Sequence, residues 1–396
     1  MPKVLIPALV SYLLLSSSQA DVVINEILYN SPADLDRLEF VELHNTSSKP
    51  ASIGGWEFNK GIEFAFAEDA VIAAGGFIVL CGDQALFKEF YGAEADGVFA
   101  KSLDNGGETV ALQDADGKKI DSVKYNDKEP WPKSADGYSA SIERICPTEE
   151  SNNVNNWAPS ILSDDYDRKP SGTPGKQNST YAATLPPVID DVTFAPELAM
   201  PNDSVKVAAK ISDASLAKAE LCYRIVAPGD EGEEKVLIME SGNGGTHTAT
   251  IPGADANRII RFRVRATNEQ GDVRYHPHPN AIRPALSVYV NGQFELGSVP
   301  VAQFFNVGDA EFKAGAAYRT SHAQSRNRGG GFGRGGFGGG RERREPSPEE
   351  RLRRSVEERL SEDVLEQTWA ALSLKQTLED SAVVPVSEAF QEAKQY

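Results

Sequence analysis

Short apolar runs separated by turn-forming residues fill the chain from residue 21 to residue 178. Along most of these runs apolar and polar side chains alternate, as they do in a half-buried β-strand. The intervening turns are rich in Gly, Asp, Asn and Ser, which tolerate turn geometry. In TVALQDADGKKIDSVKY the alternation continues on both sides of an Asp-Gly turn, which predicts a β-hairpin. The whole region predicts an antiparallel β-sandwich built from VVINEIL, EFVELHN, GIEFAFA, FIVLCG, TVALQDADG, KIDSVKY and SASIERI. The polar segment between Cys146 and Ser171 predicts a long surface excursion.

A second alternating region occupies residues 188–284, after a predicted linker at 179–187 (STYAATLPP). Its pattern is clearest in IIRFRVRAT, where Arg261, Arg263 and Arg265 share one face and the apolar residues between them share the other. This region predicts a second antiparallel β-sandwich, so the chain as a whole is expected to be mainly β. A short β or irregular extension is predicted for residues 285–324.

Glycine and arginine dominate residues 325–346. Such a composition cannot bury a core, so this tract is predicted to be disordered. The last region, 347–396, begins with Ser347, which can cap a helix, and Pro348, which suits the first helical position. Glu350 completes a capping box. Apolar residues then recur at helical spacing, which predicts a helix over 348–380 within a helical tail.

The first 20 residues contain one Lys, an apolar run and a small-residue end at Ala20, as in a cleaved secretory signal peptide. The apolar run is shorter than the roughly 18 residues of a membrane span. The chain carries 58 acidic and 40 basic residues, a net charge of −18, which disfavours nucleic-acid binding by the whole molecule. We therefore expect export to the cell surface or the extracellular space, with no membrane span after signal cleavage.

Several short sequence motifs in residues 21–178 resemble, in the same order, those of the lamin-tail domain in its bacterial secreted form. The resemblance implies an immunoglobulin-like sandwich. The second region resembles bacterial immunoglobulin-like or fibronectin type III-like modules, through GTHTATIP, FRVRAT and Gly271. The lamin-tail words are VINEI (23–27), EFVEL with Asn45 (39–45), Gly55-Trp56, AGGFIVL (74–80), Asn105-Gly106-Gly107, SIER (141–144) and Gly172-Thr173-Pro174-Gly175 through Asn178.

Carboxylates cluster near the start of the first region, at Glu26, Asp34, Asp36, Glu39 and Glu42. Glu39 and Glu42 fall on opposite faces of an alternating strand, so they cannot form a catalytic pair by local geometry. Asp34 and Asp36 share a loop and are weak candidates for a structural calcium site, although no calcium-loop motif is present. We interpret these carboxylates mainly as solvated loop and strand charges.

The remaining candidate chemistry is sparse. Three cysteines are too few for a disulfide framework, and none has zinc-ligand spacing. Cys81 and Cys146 lie in one predicted domain and can either form a disulfide or remain buried thiols. We interpret His276 and His278 as surface turn residues. No catalytic motif is recognisable, so we expect a non-enzymatic protein without a cofactor, apart from the calcium alternative.

The Gly/Arg tract is the one segment whose composition suggests a ligand. Arginine contacts phosphate and stacks, and the interleaved phenylalanines offer faces to bases. A flexible linker is the preferred interpretation, and polyanion binding is the alternative. The candidate polyanion-binding residues are Arg326, Arg328, Arg334, Arg341, Arg343 and Arg344.

These features favour a secreted, non-enzymatic modular protein that binds or presents an extracellular protein or glycan at the cell surface or in the matrix. The resemblance supplies an alternative, because lamin-tail domains also occur beside secreted nucleases, phosphatases and the kinase-like domain of the spore-coat-protein-H family. The chain would then be an accessory or truncated part of an enzyme system. A third alternative is an extracellular nucleic-acid or other polyanion binder that acts through the Gly/Arg tail.

Overall fold

β-Strands joined by short turns build two successive sandwiches, and the predicted mainly β, antiparallel fold is confirmed. The computed structural model describes residues 22–32, 35, 37–163, 169–227, 230 and 232–291, with the backbone of 301–302 and 384–385. The predicted signal peptide, the Gly/Arg tract and the predicted C-terminal helix lie outside the described residues. No helix in the described part of the chain is long and apolar enough to cross a membrane.

The first sandwich packs a six-stranded sheet, in the order β12-β11-β1-β2-β7-β8, against a four-stranded sheet, in the order β10-β9-β4-β5. Strands β3 and β6 form a separate pair, and β8 runs parallel to β7. The strands are β1 (Val22–Leu28), β2 (Phe40–Asn45), β3 (Ala51–Ser52), β4 (Glu57–Lys60), β5 (Phe64–Ala65), β6 (Val71–Ile72), β7 (Phe77–Cys81), β8 (Gly97–Val98), β9 (Thr109–Gln113), β10 (Lys119–Lys124), β11 (Ile142–Arg144) and β12 (Trp157–Pro159).

The apolar core of the first sandwich lies between these two sheets. Ile24 and Leu43 reach it from the larger sheet, and Leu112 and Val123 from the smaller one. The predicted hairpin is confirmed, since β9 and β10 pair antiparallel around a turn at Gly117, whose φ of +79° suits glycine. Alternation of side chains therefore sets which residues enter this core.

A helix that the sequence analysis did not predict, α1 (Gln84–Tyr91), covers the opposite face of the larger sheet. The Asp83 carboxylate accepts hydrogen bonds from two backbone N–H groups of the first turn, and Gly92, at φ 68°, ends the helix. Phe87 packs edge-on against Phe40 on β2. Eight residues make only about two turns, so the helical period was too short to stand out beside the strand FIVLC.

The predicted surface excursion after Cys146 is wrong for residues 156–160, which are buried because β12 pairs with β11 at the edge of the larger sheet. In this segment, side-chain and backbone polar groups that lack partners in a β-ladder hydrogen-bond to each other. The Asn156 amide oxygen accepts from the Cys146 N–H at 2.8 Å, and the Trp157 indole donates to the Ser151 carbonyl at 2.8 Å. A polar sequence can therefore be buried when its own side chains satisfy the backbone.

The second sandwich packs the sheet β13-β15-β19-β18 against the sheet β14-β22-β20-β16-β17, to which β21 adds beside β20. Strand β22 extends this unit beyond the predicted boundary at residue 284. Two further short strands pair farther along the chain, β23 with β24. The strands are β13 (Val188–Ala195), β14 (Leu198–Ala199), β15 (Val205–Ser212), β16 (Leu216–Val226), β17 (Lys235–Ile238), β18 (Glu240–Ser241), β19 (Thr246–Ile251), β20 (Arg258–Asn268), β21 (Val273–His276), β22 (Leu286–Val290), β23 (Val301–Ala302) and β24 (Val384–Pro385).

Hydrogen bonds join the two sandwiches. The Arg274 guanidinium donates to the carbonyls of Pro187 and Asn155, both at 2.6 Å, and the Asn280 amide donates to the Pro159 carbonyl at 3.0 Å. His278 is half-buried at this joint, where burial and the Arg274 charge lower its pKa to about 4, so its interpretation as a surface turn residue is wrong.

Candidate functional site

Three glutamates lie side by side on neighbouring strands of the first sandwich and form what we call the carboxylate row. Glu26 on β1 is paired in register with Glu143 on β11 and with Glu42 on β2. Each is 0% exposed. A register shift between Ile24 and Glu26 marks a bulge in β1. Residues 171–180 (SGTPGKQNST), the covering segment, lie over the row.

The covering segment hydrogen-bonds to all three acids. The Thr173 backbone N–H donates to Glu26 Oε1 at 2.9 Å, and its hydroxyl lies 3.0 Å from Glu143 Oε1. The Gly175 N–H donates to Glu42 Oε2 at 2.5 Å. These donors give buried polar oxygens the hydrogen-bond partners that they would otherwise lack.

Further donors complete the set around the outer members of the row. The Ser179 hydroxyl and the Thr180 N–H donate to Glu143 Oε2 at 2.8 and 2.9 Å. Asn25 Nδ2 donates to Glu42 Oε1 at 2.8 Å. Together with the Thr173 contacts to Glu26, these bonds place every one of the six carboxylate oxygens of the row within hydrogen-bond distance of a donor from the chain itself.

Asn178 fastens the end of the covering segment to the sheet. Its side-chain nitrogen donates to the carbonyls of Asn25 and Arg144 at 3.0 and 2.8 Å. At the other end, the Tyr91 hydroxyl of α1 donates to the Ser171 carbonyl at 2.8 Å. The helix and the covering segment thus form one continuous layer over the outer face of the larger sheet.

Gly172 allows the covering segment to approach the row closely. Its φ of +108° is disfavoured for other residues, and a Cβ atom there would lie 2.5 Å from Glu26 Oε1. Two of the motifs that resemble the lamin-tail domain, GTPG and SIER, are therefore in contact in the fold. Thr173 of the first motif hydrogen-bonds to Glu143 of the second.

Burial controls the protonation of the row. It raises the pKa of Glu42 to about 8, against the opposing effect of the Asn25 and Gly175 hydrogen bonds. The pKa of Glu26 is raised well above its ordinary value, first by burial and then by the charges of Glu143 and Glu42. Neutralising some of these acids reduces the repulsion between neighbours. Glu42 therefore retains its proton at neutral pH.

The interpretation of the opening carboxylates as solvated charges is wrong for Glu26, Glu39 and Glu42, which are buried. Glu39 accepts a hydrogen bond from the Leu103 N–H at 2.9 Å, far from the donors of Glu42, in keeping with the expectation that the two do not pair. The calcium candidates Asp34 and Asp36 lie outside the described residues. Among the residues that are described, no group of three His, Cys, Asp or Glu side chains is arranged to hold a metal ion.

A buried ion pair that the sequence analysis missed clamps the same sheet. Arg144 Nη1 lies 3.0 Å from Asp121 Oδ2, with the two side chains 1% and 9% exposed. Arg144 also donates to the carbonyls of Ile24 and Glu149 and to the Ser151 hydroxyl. These bonds tie the larger sheet, the smaller sheet and the loop after β11 together.

The cysteines are free, buried thiols in the structure. Cys81 lies 3.4 Å from Gln84 Oε1, and burial raises its pKa to about 11. Cys146 lies 3.2 Å from the Thr148 hydroxyl. Of the two alternatives for this pair, the structure therefore contains the buried thiols. The six candidate arginines of the Gly/Arg tract lie outside the part of the chain that is described.

Comparison with known proteins finds one family whose model matches the strands of two of the three glutamates. Residues 16–127 match the family model described as Lamin Tail Domain. This match indicates a modular binding or structural domain of a typically non-catalytic kind. It covers the strands of Glu26 and Glu42, but not Glu143 or the covering segment. No curated protein matches the chain.

Similarity to solved structures is weak. The sporulation control protein Spo0M of Bacillus subtilis is 10% identical, with a TM-score of 0.16, over 27% of this chain and 50% of that one. A purple acid phosphatase from yellow lupin (Lupinus luteus) seeds is 11% identical, with a TM-score of 0.21, over 72% of this chain and 43% of that one. Trypsin-activated alpha-2-macroglobulin from Escherichia coli is 10% identical, with a TM-score of 0.22, over 72% of this chain and 14% of that one. The chain thus spans half or less of each of these structures.

Proposed function

We propose that this chain is a secreted, non-enzymatic modular protein that binds or presents an extracellular protein or glycan at the cell surface or in the extracellular matrix. The lamin-tail match supports a modular role, and the signal-like first 20 residues support export. The proposed role requires no cofactor.

One observation carries the non-enzymatic part of the proposal. Glu26 and Glu42 of the carboxylate row have the raised pKa values that catalytic acids often show. Yet all six carboxylate oxygens of the row lie within hydrogen-bond distance of polar groups of the chain itself, under a layer formed by α1 and the covering segment. A general acid needs its proton within reach of a substrate. The row instead serves to fasten the covering segment to the sheet.

The test is a binding experiment with two proteins, the full chain and a chain that ends at residue 291. Each is incubated with cell-wall material, a panel of glycans and DNA at low and high salt. Salt-resistant binding of the shorter protein to a glycan or to cell-wall material supports binding through the sandwiches. Binding by the full chain alone, abolished by salt, would move the function to the Gly/Arg tail. A chain that binds none of these materials, and remains inside the cell, would refute the proposal.

A further inference from the structure

Strand β17 forms one end of the larger sheet of the second sandwich. It pairs with β16 on one side, and no strand in the described part of the chain pairs with its other side. Just after the strand, the Met239 backbone N–H donates to the Ala219 carbonyl of β16 at 2.9 Å. In an antiparallel ladder the peptide groups of successive residues point alternately toward and away from the partner strand. Those of Val236 and Ile238 therefore point away from β16, to the free edge.

The two residues whose peptide groups reach the free edge also expose apolar side chains. Val236 is 44% exposed and Ile238 is 70% exposed. Leu237, which lies between them, packs against the core of the second sandwich. Unpaired backbone N–H and C=O groups at the edge of a sheet are a template for pairing with another strand. At β17 that template coincides with apolar side chains that another strand could cover.

Two other edge strands show how this chain protects its sheet edges. Charged side chains and bulges keep an edge strand from pairing with other chains. Strand β10 carries Lys119 and Asp121, with a register shift between them. Strand β13 carries Asp190 and Asp191 beside a register shift. Strand β17 pairs with β16 without a register shift, and its only charged residue is Lys235 at its first position. The middle of β17 is therefore open to another strand.

We propose that β17 joins two copies of this chain, by pairing antiparallel with the β17 of a second copy about a two-fold axis at Leu237. In this register Val236 of each copy lies opposite Ile238 of the other. Both residues of each pair direct their peptide groups at the partner, so each pair exchanges two backbone hydrogen bonds. Their side chains share one face and make apolar cross-strand contacts. The inference goes beyond the proposed binding function, because it concerns association of the chain with itself.

The sequence of the strand favours a second copy in this register. Moving the two-fold axis by one residue would place Glu234 opposite Ile238, or Glu240 opposite Val236. A register slipped by one residue would turn the apolar residues of the two copies to opposite faces. Only the axis at Leu237 therefore sets both exposed apolar residues of one copy against apolar residues of the other. Such an interface uses the same edge of both copies, so it closes and gives a dimer rather than a fibre.

The small contact predicts a weak, reversible dimer. Strand β17 has four residues, whereas a standard protein interface has roughly 20–30 residues on each side. Charge also opposes association, because each chain has a net charge of −18 and the register places Glu234 of one copy opposite Glu240 of the other. Salt screens this repulsion, so the dimer should strengthen as the salt concentration is raised. Association of the Gly/Arg tail with acidic groups of another copy would weaken instead, which distinguishes the two kinds of contact.

The test is sedimentation velocity on the full chain over a range of protein concentrations, at low and high salt. We expect the dimer fraction to rise with protein concentration and with salt. Ile238→Lys should weaken association by about tenfold or more, because both cross-strand pairs then set a charged group against an apolar side chain. The matched control is Val71→Lys, at an apolar residue of the first sandwich that is 54% exposed. It should change association by less than about twofold.

A backbone variant and a cross-link test the register. Val236→Pro removes an N–H that points to the free edge, where proline is tolerated in a strand, so it should also weaken the dimer. Its folding is checked by the urea midpoint. Chains with Val236→Cys and chains with Ile238→Cys, mixed and treated with oxidised glutathione, should form a disulfide between copies, because the Cα atoms of such a pair lie about 5.5 Å apart. Neither cysteine variant alone should form it.

Several results would overturn the inference. These are dimers that Ile238→Lys and Val71→Lys affect equally, dimers that weaken with salt, and equal cross-linking by either cysteine variant alone. A chain that is monomeric at every concentration would also overturn it, and would leave the β17 edge to a strand of another protein or to the chain's own tail. If the proline variant fails to fold, the cross-link alone decides the register. The three native cysteines are buried and do not compete in this reaction.

Discussion

Replacing Glu42 with glutamine should make the stability of the chain less dependent on pH. Glu42 is fully buried, and burial raises its pKa to about 8 from an ordinary value of 4.5. Glutamine keeps the shape of the side chain and an oxygen that can accept a hydrogen bond, but it cannot ionise. The variant therefore resembles the protonated acid at every pH.

The sign of the effect follows from where the proton is bound. Between pH 4.5 and about 8 the folded chain holds the Glu42 proton, whereas the unfolded chain has released it. Raising the pH over this interval therefore favours unfolding. The stabilisation is fully present below pH 4.5 and is lost as the pH approaches about 8. One retained proton changes the free energy of unfolding by about 1.4 kcal/mol per pH unit, or on the order of 4 kcal/mol over three units.

The assay is urea unfolding at several pH values between 5 and 8, followed by the fluorescence of Trp131 and Trp157, which lie in the core of the first sandwich. The Glu42→Gln variant should lose less stability than the original chain by about 1.4 kcal/mol for each pH unit. Glu26, whose pKa is also raised, keeps some pH dependence in both proteins. Glu63→Gln, at an exposed position, is the control and should leave the slope unchanged. Parallel curves for the original chain and the Glu42 variant would refute the retained proton on Glu42.

Other changes test other parts of the molecule. Arg144→Met leaves a buried carboxylate without its partner and should cost about 3–5 kcal/mol in urea unfolding; a loss below about 1 kcal/mol would contradict a buried clamp. Gly172→Ala should lower the thermal midpoint more than Gly175→Ala, because only the first places a Cβ against a Glu26 oxygen. Arg274→Gln should speed proteolysis between the sandwiches without unfolding either; unchanged cleavage would argue against the joint. All three cysteines should react with a thiol reagent only after denaturation and without added reductant; a requirement for reductant would contradict the buried thiols.

Much of the fold could be predicted from alternation, because the period of two is a local property of each strand. In β20 the three outward arginines and the inward apolar residues follow the sequence pattern directly. The hairpin of β9 and β10 was likewise marked by its Asp-Gly turn. In both cases, residues that are only a few positions apart along the chain determine which face of the strand they occupy or where the chain turns.

The carboxylate row could not be predicted in this way, because its burial depends on donors far along the chain. Thr173 lies 147 positions after Glu26, and nothing near Glu26 in sequence shows that its outer face is covered. Alternation correctly predicted that Glu39 and Glu42 do not pair. It could not show whether each face of the strand is covered by protein or exposed to water. The available signal was the joint presence of GTPG and SIER in the lamin-tail resemblance, which marks both motifs but does not show that they are in contact.

The covering segment has a consequence for how the chain is made. Strand β1 is completed only by partners that are synthesised much later, Glu143 on β11 and Thr173 in the covering segment. A nascent chain released residue by residue therefore cannot close its first sandwich until the covering segment has appeared, 147 positions after Glu26. Export through a membrane pore requires an unfolded polypeptide, and pairing over long separations is slow. Under the proposed export, the first sandwich would stay unclosed until the covering segment emerged, and the chain before it could cross a pore unfolded.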